Sequence, residues 1–263
     1  MNNNSVREKI LMASERRMIK FGYRKVTMME GSMLGRGEQE YKDEVAVENG
    51  IRDVLENKRN IAFLFLSSQN IDRLVSAYKA CRKTGTTFVI DLYTAFILHK
   101  LGAKTKSLPQ FDWPNVRVKF FKFHADKIAE AGHEKLLYLF NKRKIEMDEI
   151  DRTKEKVLMI LRDNSLFPRV VRHINPVKGA VIVYSMWEGY LTDKFRAYCS
   201  DNGITIKQVH TSGHAVPKHL VAFAKAVNSK NLVPIHTFHA DRYAEMFDNV
   251  KVLNDGELWE IPS

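Results

Sequence analysis

Short unbroken apolar runs alternate along this chain with stretches whose apolar residues recur at helical spacing. Ile61-Ala-Phe-Leu-Phe-Leu66 is such a run and predicts a strand buried on both faces. Ser67-Ser-Gln-Asn70 follows with residues suited to capping a helix, predicted over Ile71–Lys83 and stopped by Gly85. Thr86–Asp91 then reads as a strand and Leu92–Leu101 as a helix. Upstream, Val6–Lys20 has the pattern of a short basic helix, and Tyr23–Met29 that of a strand running into Glu30. Gly31–Gly37 is rich in turn residues. Tyr41–Lys58 has helical periodicity, with Val45, Ile51, Val54 and Leu55 on one side.

The middle of the chain is less regular. Val116–Phe123 alternates basic and apolar residues like a half-exposed strand, and His124–Arg143 reads as helical. Lys142–Lys156 is heavily charged, Val157–Leu161 reads as a strand, and Pro168–Ile174 fits no single period. After Gly179 the alternation returns, with strand Ala180–Ser185, a helix around Leu191–Asn202, strand Ile204–Val209 and a helix over Pro217–Val227. Strand Leu232–Ile235 and helix Ala240–Phe247 follow. Val250–Leu253 and Glu257–Ile261 read as closing strands joined by the tight-turn signal Asn254-Asp-Gly256. Such alternation implies an α/β layer fold with a largely parallel sheet. There is no repeat, and the charged middle is the one hint of a boundary.

The length of 263 residues suits one large domain or two ordinary ones. A hydrophobic share of 44% and a charged share of 28% exclude disordered and fibrous classes. Cys81 and Cys199 lie far apart and form no C-x-x-C pair, which argues against a disulfide scaffold and a cysteine-built zinc site. The longest apolar stretches, Ile61–Leu66 and Ala180–Trp187, fall far short of the roughly 20 residues that span a bilayer. Arg7 and Glu8 interrupt the start where a signal peptide needs an apolar run, so a cytoplasmic protein without membrane association is expected. The 42 Lys and Arg against 31 Asp and Glu leave a formal charge of +11, which suits a phosphate-rich partner without requiring one.

In open α/β sheets, ligands bind at the carboxyl ends of strands. Five such ends carry polar residues here: Glu30-Gly-Ser32, Ser67-Ser-Gln69, Ser185-Met-Trp187, His210-Thr-Ser-Gly-His214 and His236-Thr-Phe-His239. Histidine spacing supplies no local zinc set, because no two histidines flank a single residue and no H-E-x-x-H occurs. His214 and His236 can each offer one ligand or one proton-transfer group, or serve as satisfied structural histidines. Glu30 can orient an imidazole or cap a backbone amide. Ser67 and Ser68, and likewise Thr211, Ser212 and Gly213, are expected to open helices, where free N–H groups favour either a phosphate or a side-chain cap. The loop Gly31–Gly37 lacks a following Gly-Lys-Ser/Thr, and no G-x-S-x-G occurs, so neither a P-loop nor a serine hydrolase is indicated. Trp187 and Tyr190 can stack a base or pack in a core.

The ordered set Glu-Gly-Ser-Met-Leu-Gly-Arg (30–36), Ser-Ser-Gln-Asn-Ile-Asp-Arg (67–73), Val-Ile-Asp-Leu-Tyr-Thr-Ala (89–95), Tyr-Ser-Met-Trp-Glu-Gly-Tyr (184–190), His-Thr-Ser-Gly-His-Ala (210–215) and Pro-Ile-His (234–236) resembles the β-CASP branch of the metallo-β-lactamase-fold hydrolases, which includes ribonuclease J. The resemblance spans nearly the whole chain from about Tyr23. It implies a β-CASP cap over 42–177, with 1–41 and 178–263 forming a partial metallo-β-lactamase-like α/β sandwich. It further implies that Glu30 orients His214, that His214 protonates the leaving oxygen of a scissile phosphodiester, and that His236 ligates metal. Ser67, Ser68, Ser185, Thr211, Ser212 and Gly213 match substrate-facing positions.

The family's His-x-His-x-Asp-His segment and its bridging aspartate, which hold two zinc ions, would precede Glu30 and are missing. The chain thus looks like the carboxyl-terminal portion of such a nuclease, supplying at most one zinc ligand, His236. One ligand cannot generate the activated water that hydrolysis needs. The expected function is a split subunit or fragment acting on RNA or DNA, inactive until a second polypeptide supplies the metal site; the expected partners are nucleic acid and that polypeptide, or further copies in a homo-oligomer. The alternative is a non-catalytic nucleic-acid-binding or regulatory module derived from such an enzyme.

Overall fold

A computed structural model of the chain describes residues 25–35 and 43–260. The predicted basic helix Val6–Lys20 and the end of the Gly31–Gly37 loop lie outside these residues. The chain divides into two compact units, residues 39–211 and residues 1–38 with 212–263. The resemblance drew its second boundary at 177/178. The structure draws it at 211/212, because the strands of 181–208 pair within the larger unit's sheet.

The larger unit is α/β with a seven-stranded sheet. Its strands are β2 (Ala62–Phe65), β3 (Thr87–Asp91), β4 (Val116–Lys119), β5 (Lys144–Ile145), β6 (Val157–Leu161), β7 (Val181–Tyr184) and β8 (Thr205–Gln208). The label β1 belongs to Val26–Glu30 in the smaller unit. The order across the sheet is β5-β4-β3-β6-β2-β7-β8, and every pairing is parallel. The unbroken apolar runs follow from burial on two sides. Ala62, Leu64 and Leu66 join one core with Leu158 and Ile160, while Ile61, Phe63 and Phe65 join the other with Val157, Met159 and Leu161.

Helices α1 (Glu44–Asn57) and α2 (Ile71–Thr84) pack on the first core. Asp43 caps α1 by accepting from the Ala46 N–H at 2.8 Å, and Gly85 ends α2 in the left-handed conformation at φ 65°. The buried stripe of α1 is Val47, Ile51, Val54 and Leu55, at i, i+4, i+7 and i+8. Val45, expected on that side, is 58% exposed because it lies two residues off the stripe. Helix α3 (Leu92–Gly102) follows β3. The predicted strand Val116–Phe123 ends at Lys119, where Lys122 begins α4 (Lys122–Glu130). Gly132, at φ 74°, separates α4 from α5 (Glu134–Asn141), so the expected single helix is two. Short helices α6 (Met147–Arg152) and α7 (Leu166–Val171) flank β6, and α8 (Asp193–Asp201) joins β7 to β8.

The smaller unit pairs β1 in parallel with β9 (Asn231–Ile235), and α9 (Pro217–Val227) precedes β9. Its core gathers Met29, Leu34, Leu220, Leu232 and Tyr243. The expected helix Ala240–Phe247 is a 3-10 turn over Ala240–Tyr243. Among the described residues the two closing strands do not form. Val250 makes only an isolated bridge to Leu232, and Leu258 is 98% exposed. The turn itself is present, with Gly256 at φ 80° and the Glu257 carboxylate accepting from the Asn254 N–H and side-chain amide. A hairpin with no face to bury is not stable alone. Cys81 and Cys199 are both free and buried. No helix among the described residues is long and apolar enough to cross a membrane.

Candidate functional site

The parallel sheet of the larger unit sends several strand ends to one edge, as ligand-binding α/β sheets do. A crevice of about 580 Å³ lies there, lined by Ser67, Ser68 and Gln69 after β2, Tyr93 on α3, Arg162 after β6, and Met186 and Tyr190 after β7. Ser68 is buried and its hydroxyl pairs with that of Thr94 at 2.8 Å, while Arg162 Nη2 donates to Ser68 Oγ at 2.5 Å. The Arg162 guanidinium lies 5.8 Å over the Tyr93 ring. Neither serine caps α2. Ser67 Oγ accepts from the Gln69 N–H, and Asn70 supplies the cap by accepting from the Arg73 N–H at 3.1 Å. Asn70 holds the cap because it directly precedes Ile71, and Ser68, two residues upstream, holds Arg162.

Ser185 does not face an open site. Its side chain is buried, donates to the Val209 carbonyl at 2.5 Å and accepts from Arg73 Nη1 at 2.5 Å. Arg73 is the residue that motif reading left without a role. It is 1% exposed and binds Glu44 through Nε and Nη2, the latter at 2.8 Å. The same guanidinium reaches the Thr211 carbonyl at 3.3 Å and His210 Nδ1 at 3.3 Å. It thereby ties α1 and α2 to the exits of β7 and β8. A signal existed in the sequence: Arg73 sits four residues before Ala77, on the apolar stripe of α2, where a lone cation needs a buried partner. Burial and the Arg73 charge hold the His210 pKa below the usual histidine value, against the opposing pull of the Ser185 backbone and Glu44.

Trp187 and Tyr190 are 59% and 68% exposed, with rings edge to face at 5.2 Å. They are therefore a surface aromatic pair and not part of a core.

In the smaller unit, β1 and β9 end side by side, with Glu30 in register with Ile235 and the Gly31 N–H donating to the Ile235 carbonyl at 3.1 Å. Gly31 must be glycine, because a Cβ there would meet Tyr243 Cε2 at 2.7 Å and Thr237 Cβ at 2.9 Å. The Tyr243 hydroxyl fixes this corner by donating toward the Met29 and Glu30 carbonyls, at 2.9 and 2.6 Å. Glu30 Oε1 accepts from the Ala215 N–H at 2.9 Å, and Oε2 accepts from the Ser32 N–H at 2.9 Å. Oε2 also lies 3.3 Å from His214 Nδ1. Burial alone would raise the Glu30 pKa. The Ser32 and Ala215 hydrogen bonds and the His214 charge outweigh it and hold the carboxyl below its ordinary value. Glu30 is thus an anchored carboxylate facing a half-exposed imidazole.

His236 follows Ile235 directly at φ 50°, in the left-handed region that non-glycine residues seldom adopt. Its carbonyl accepts from Ser32 Oγ at 3.2 Å, and its exposed ring makes no hydrogen bond among the described residues. No three His, Cys, Asp or Glu side chains among the described residues come together as a metal-holding group. A single imidazole does not make a zinc site, so these residues alone do not fit the metal that the resemblance implies. Thr211, Ser212 and Gly213 do not open a helix either. Val216 occupies the N-cap of α9 with Pro217 behind it, and Ser212 Oγ accepts from the His214 N–H at 3.2 Å.

No family model matches the chain, and no curated protein does. Among solved structures, the chain is similar to the crystal structure of a protein of unknown function from Enterococcus faecalis V583, at 21% identity and a TM-score of 0.59. That match covers 89% of this chain and 51% of the other, so the chain spans about half the length of the structure it matches. The likeness is one of fold.

Proposed function

We propose that this chain supplies the proton-donor half of a phosphodiesterase of the β-CASP branch, with the larger unit as the β-CASP cap, and that it acts on RNA or DNA. In this reading the metal-holding residues come from outside the described residues, on another segment or a second polypeptide, and His236 adds one imidazole to them. The observation that carries the reading is the Glu30–His214 couple. Glu30 Oε2 lies 3.3 Å from His214 Nδ1, and in this reading it favours the proton on that nitrogen and leaves Nε2 to serve a departing alkoxide. Two backbone N–H groups on Glu30 keep it ionised, so it stabilises the imidazolium before the proton leaves. Glu30 ends β1 and is partly exposed, and the His214 ring is half exposed in the loop before α9, as a group that meets a polymer must be.

The test is an assembled preparation of this chain with a polypeptide bearing His-x-His-x-Asp-His, assayed on a short labelled oligonucleotide. His214→Ala should lower turnover by roughly 10²- to 10⁴-fold with metal content unchanged. His236→Ala should lower the metal content itself. Equal metal loss in both variants, or unaltered turnover in His214→Ala, removes the assignment. The exposed Trp187–Tyr190 pair and the charge of +11 favour a second reading, a nucleic-acid-binding module without turnover. Salt-dependent binding that is indifferent to His214→Ala, with no cleavage in any assembly, would select it.

A further inference from the structure

The larger unit carries a second cavity, of about 490 Å³, that uses none of Glu30, His214 or His236. Its walls come from α3, α4, the turn before α5 and Arg162. Tyr93, Phe96 and Phe123 line it together with the imidazoles of His124 and His133. The rings are mutually packed, Phe123 and His124 at 5.8 Å between centroids and Phe96 and His133 at 5.5 Å.

Three cations lie over these rings, Lys100 at 5.4 Å from the Phe96 centroid among them, and two of the three line the cavity. Lys127 Nζ lies 5.9 Å from the Phe123 centroid, and Arg162 lies 5.8 Å over Tyr93. Lys127 also pairs with Glu130 at 3.0 Å, whereas Arg162 makes no ion pair among the described residues and hydrogen-bonds to Ser68. His124 Nδ1 is buried without a hydrogen-bond partner. The acid nearest to it, Asp91, stands off at 3.7 Å with its other oxygen capping the Thr94 N–H. Tyr93 and Arg162 line both this cavity and the Ser67–Ser68 crevice.

We propose that the cavity binds a nucleotide, with the base against the aromatic wall and the phosphate at Arg162 and Lys127. The size is that of a small-ligand pocket. Aromatic faces flanked by cations suit a flat π-system that carries an anion. A phosphate alone would leave the rings unused, and an aliphatic chain would leave the two cations and the His124 nitrogen unused. A nucleobase offers polar edges as well as a face. Because the site is independent of the Glu30–His214 couple, its failure leaves the proposed phosphodiesterase role standing, and the converse holds.

Calorimetric titration of the chain with adenosine 5′-monophosphate, uridine 5′-monophosphate, adenosine, inorganic phosphate and a short oligonucleotide tests this. The monophosphates should bind saturably at one site, with adenosine and phosphate each at least about tenfold weaker. Phe123→Ala should weaken monophosphate binding by roughly tenfold or more, and Lys127→Ala should flatten its salt dependence. Phe123 is 64% exposed and the Lys127 side chain 62%, so neither substitution removes core packing. An oligonucleotide more than tenfold tighter than the monophosphates identifies the ligand as part of a strand, and equal affinity identifies a free nucleotide. No saturable monophosphate binding at millimolar concentration, or wild-type behaviour in both variants, overturns the proposal.

Discussion

In the larger unit, the central strands β3, β6, β2 and β7 divide their side chains between two cores, with Leu64 and Ile160 facing one way and Phe65 and Leu161 the other. In the smaller unit, β1 and β9 share a single core around Tyr243, and Met28 and Phe238 stand in solvent. The polar groups differ in the same sense. Ser185 is buried and locked by Arg73, while the His214 imidazole is half exposed with Glu30 Oε2 3.3 Å from its Nδ1. A histidine that exchanges protons with a substrate needs that exposure, and a scaffold that fixes strand exits needs the opposite. The buried, locked polar group and the exposed imidazole thus lie in different parts of the chain.

The sharpest way to break this contrast is a cavity in the larger unit. Phe167 is 1% exposed and touches the rings of Phe63, Phe65 and Phe195 at 5.3 to 5.4 Å. Phe167→Ala should cost about 3–5 kcal/mol, read from the urea midpoint, because so many rings cannot collapse into the gap. Amide exchange should speed up in β2, β6 and β7 while the Gly31 and Ile235 amides keep their protection. Equal acceleration in both units would mean that they unfold as one body, and the separation would be wrong.

A smaller loss is expected at the corner of the smaller unit. Tyr243→Phe removes a hydroxyl that donates to the Met29 and Glu30 carbonyls and leaves the ring in place. About 1–2 kcal/mol should be lost, with faster exchange at Gly31 and none at the sheet of the larger unit. An unchanged Gly31 amide would show that the hydroxyl does not hold the Glu30 turn.

Much of the architecture was legible because burial writes itself into spacing. Ile61–Leu66 and Val157–Leu161 are unbroken because both of their faces are covered, and Pro217–Val227 matches its helix to the residue because Pro217 starts it and Asn228 can turn left-handed after it. The closing strands were misread because Val250–Leu253 has strand-forming residues but no partner beyond one bridge to Leu232. Propensity says nothing about partners. At the site, no period connects Glu30 to His214; only the ordered motifs suggested that they meet, and the 3.3 Å contact agrees with the pairing. Ser185 looked substrate-facing because a serine after a strand is ambiguous until the buried Arg73 beside it is seen.

The finest test separates the units by pH. His210 in the larger unit and Glu30 in the smaller are among the groups whose folded pKa values lie below their unfolded ones; for each, the unfolded chain binds more protons and stability falls on acidification. His210 in the larger unit has an ordinary value of 6.5, lowered first by burial and then by Arg73. Its contribution is complete above 6.5 and is lost as pH falls through the lowered folded value. Glu30 in the smaller unit starts from 4.5; burial opposes the shift, but the Ser32 and Ala215 hydrogen bonds and His214 overcome it. Its contribution is complete above 4.5 and disappears at more acid pH. Protection of the β8 amides should therefore begin to weaken just below pH 6.5, while that of β1 holds until about 4.5. His210→Gln should flatten the first step and Glu30→Gln the second. If His210→Gln and the wild type lose β8 protection in parallel between pH 6.5 and 5, then charging His210 against Arg73 is not what weakens the larger unit.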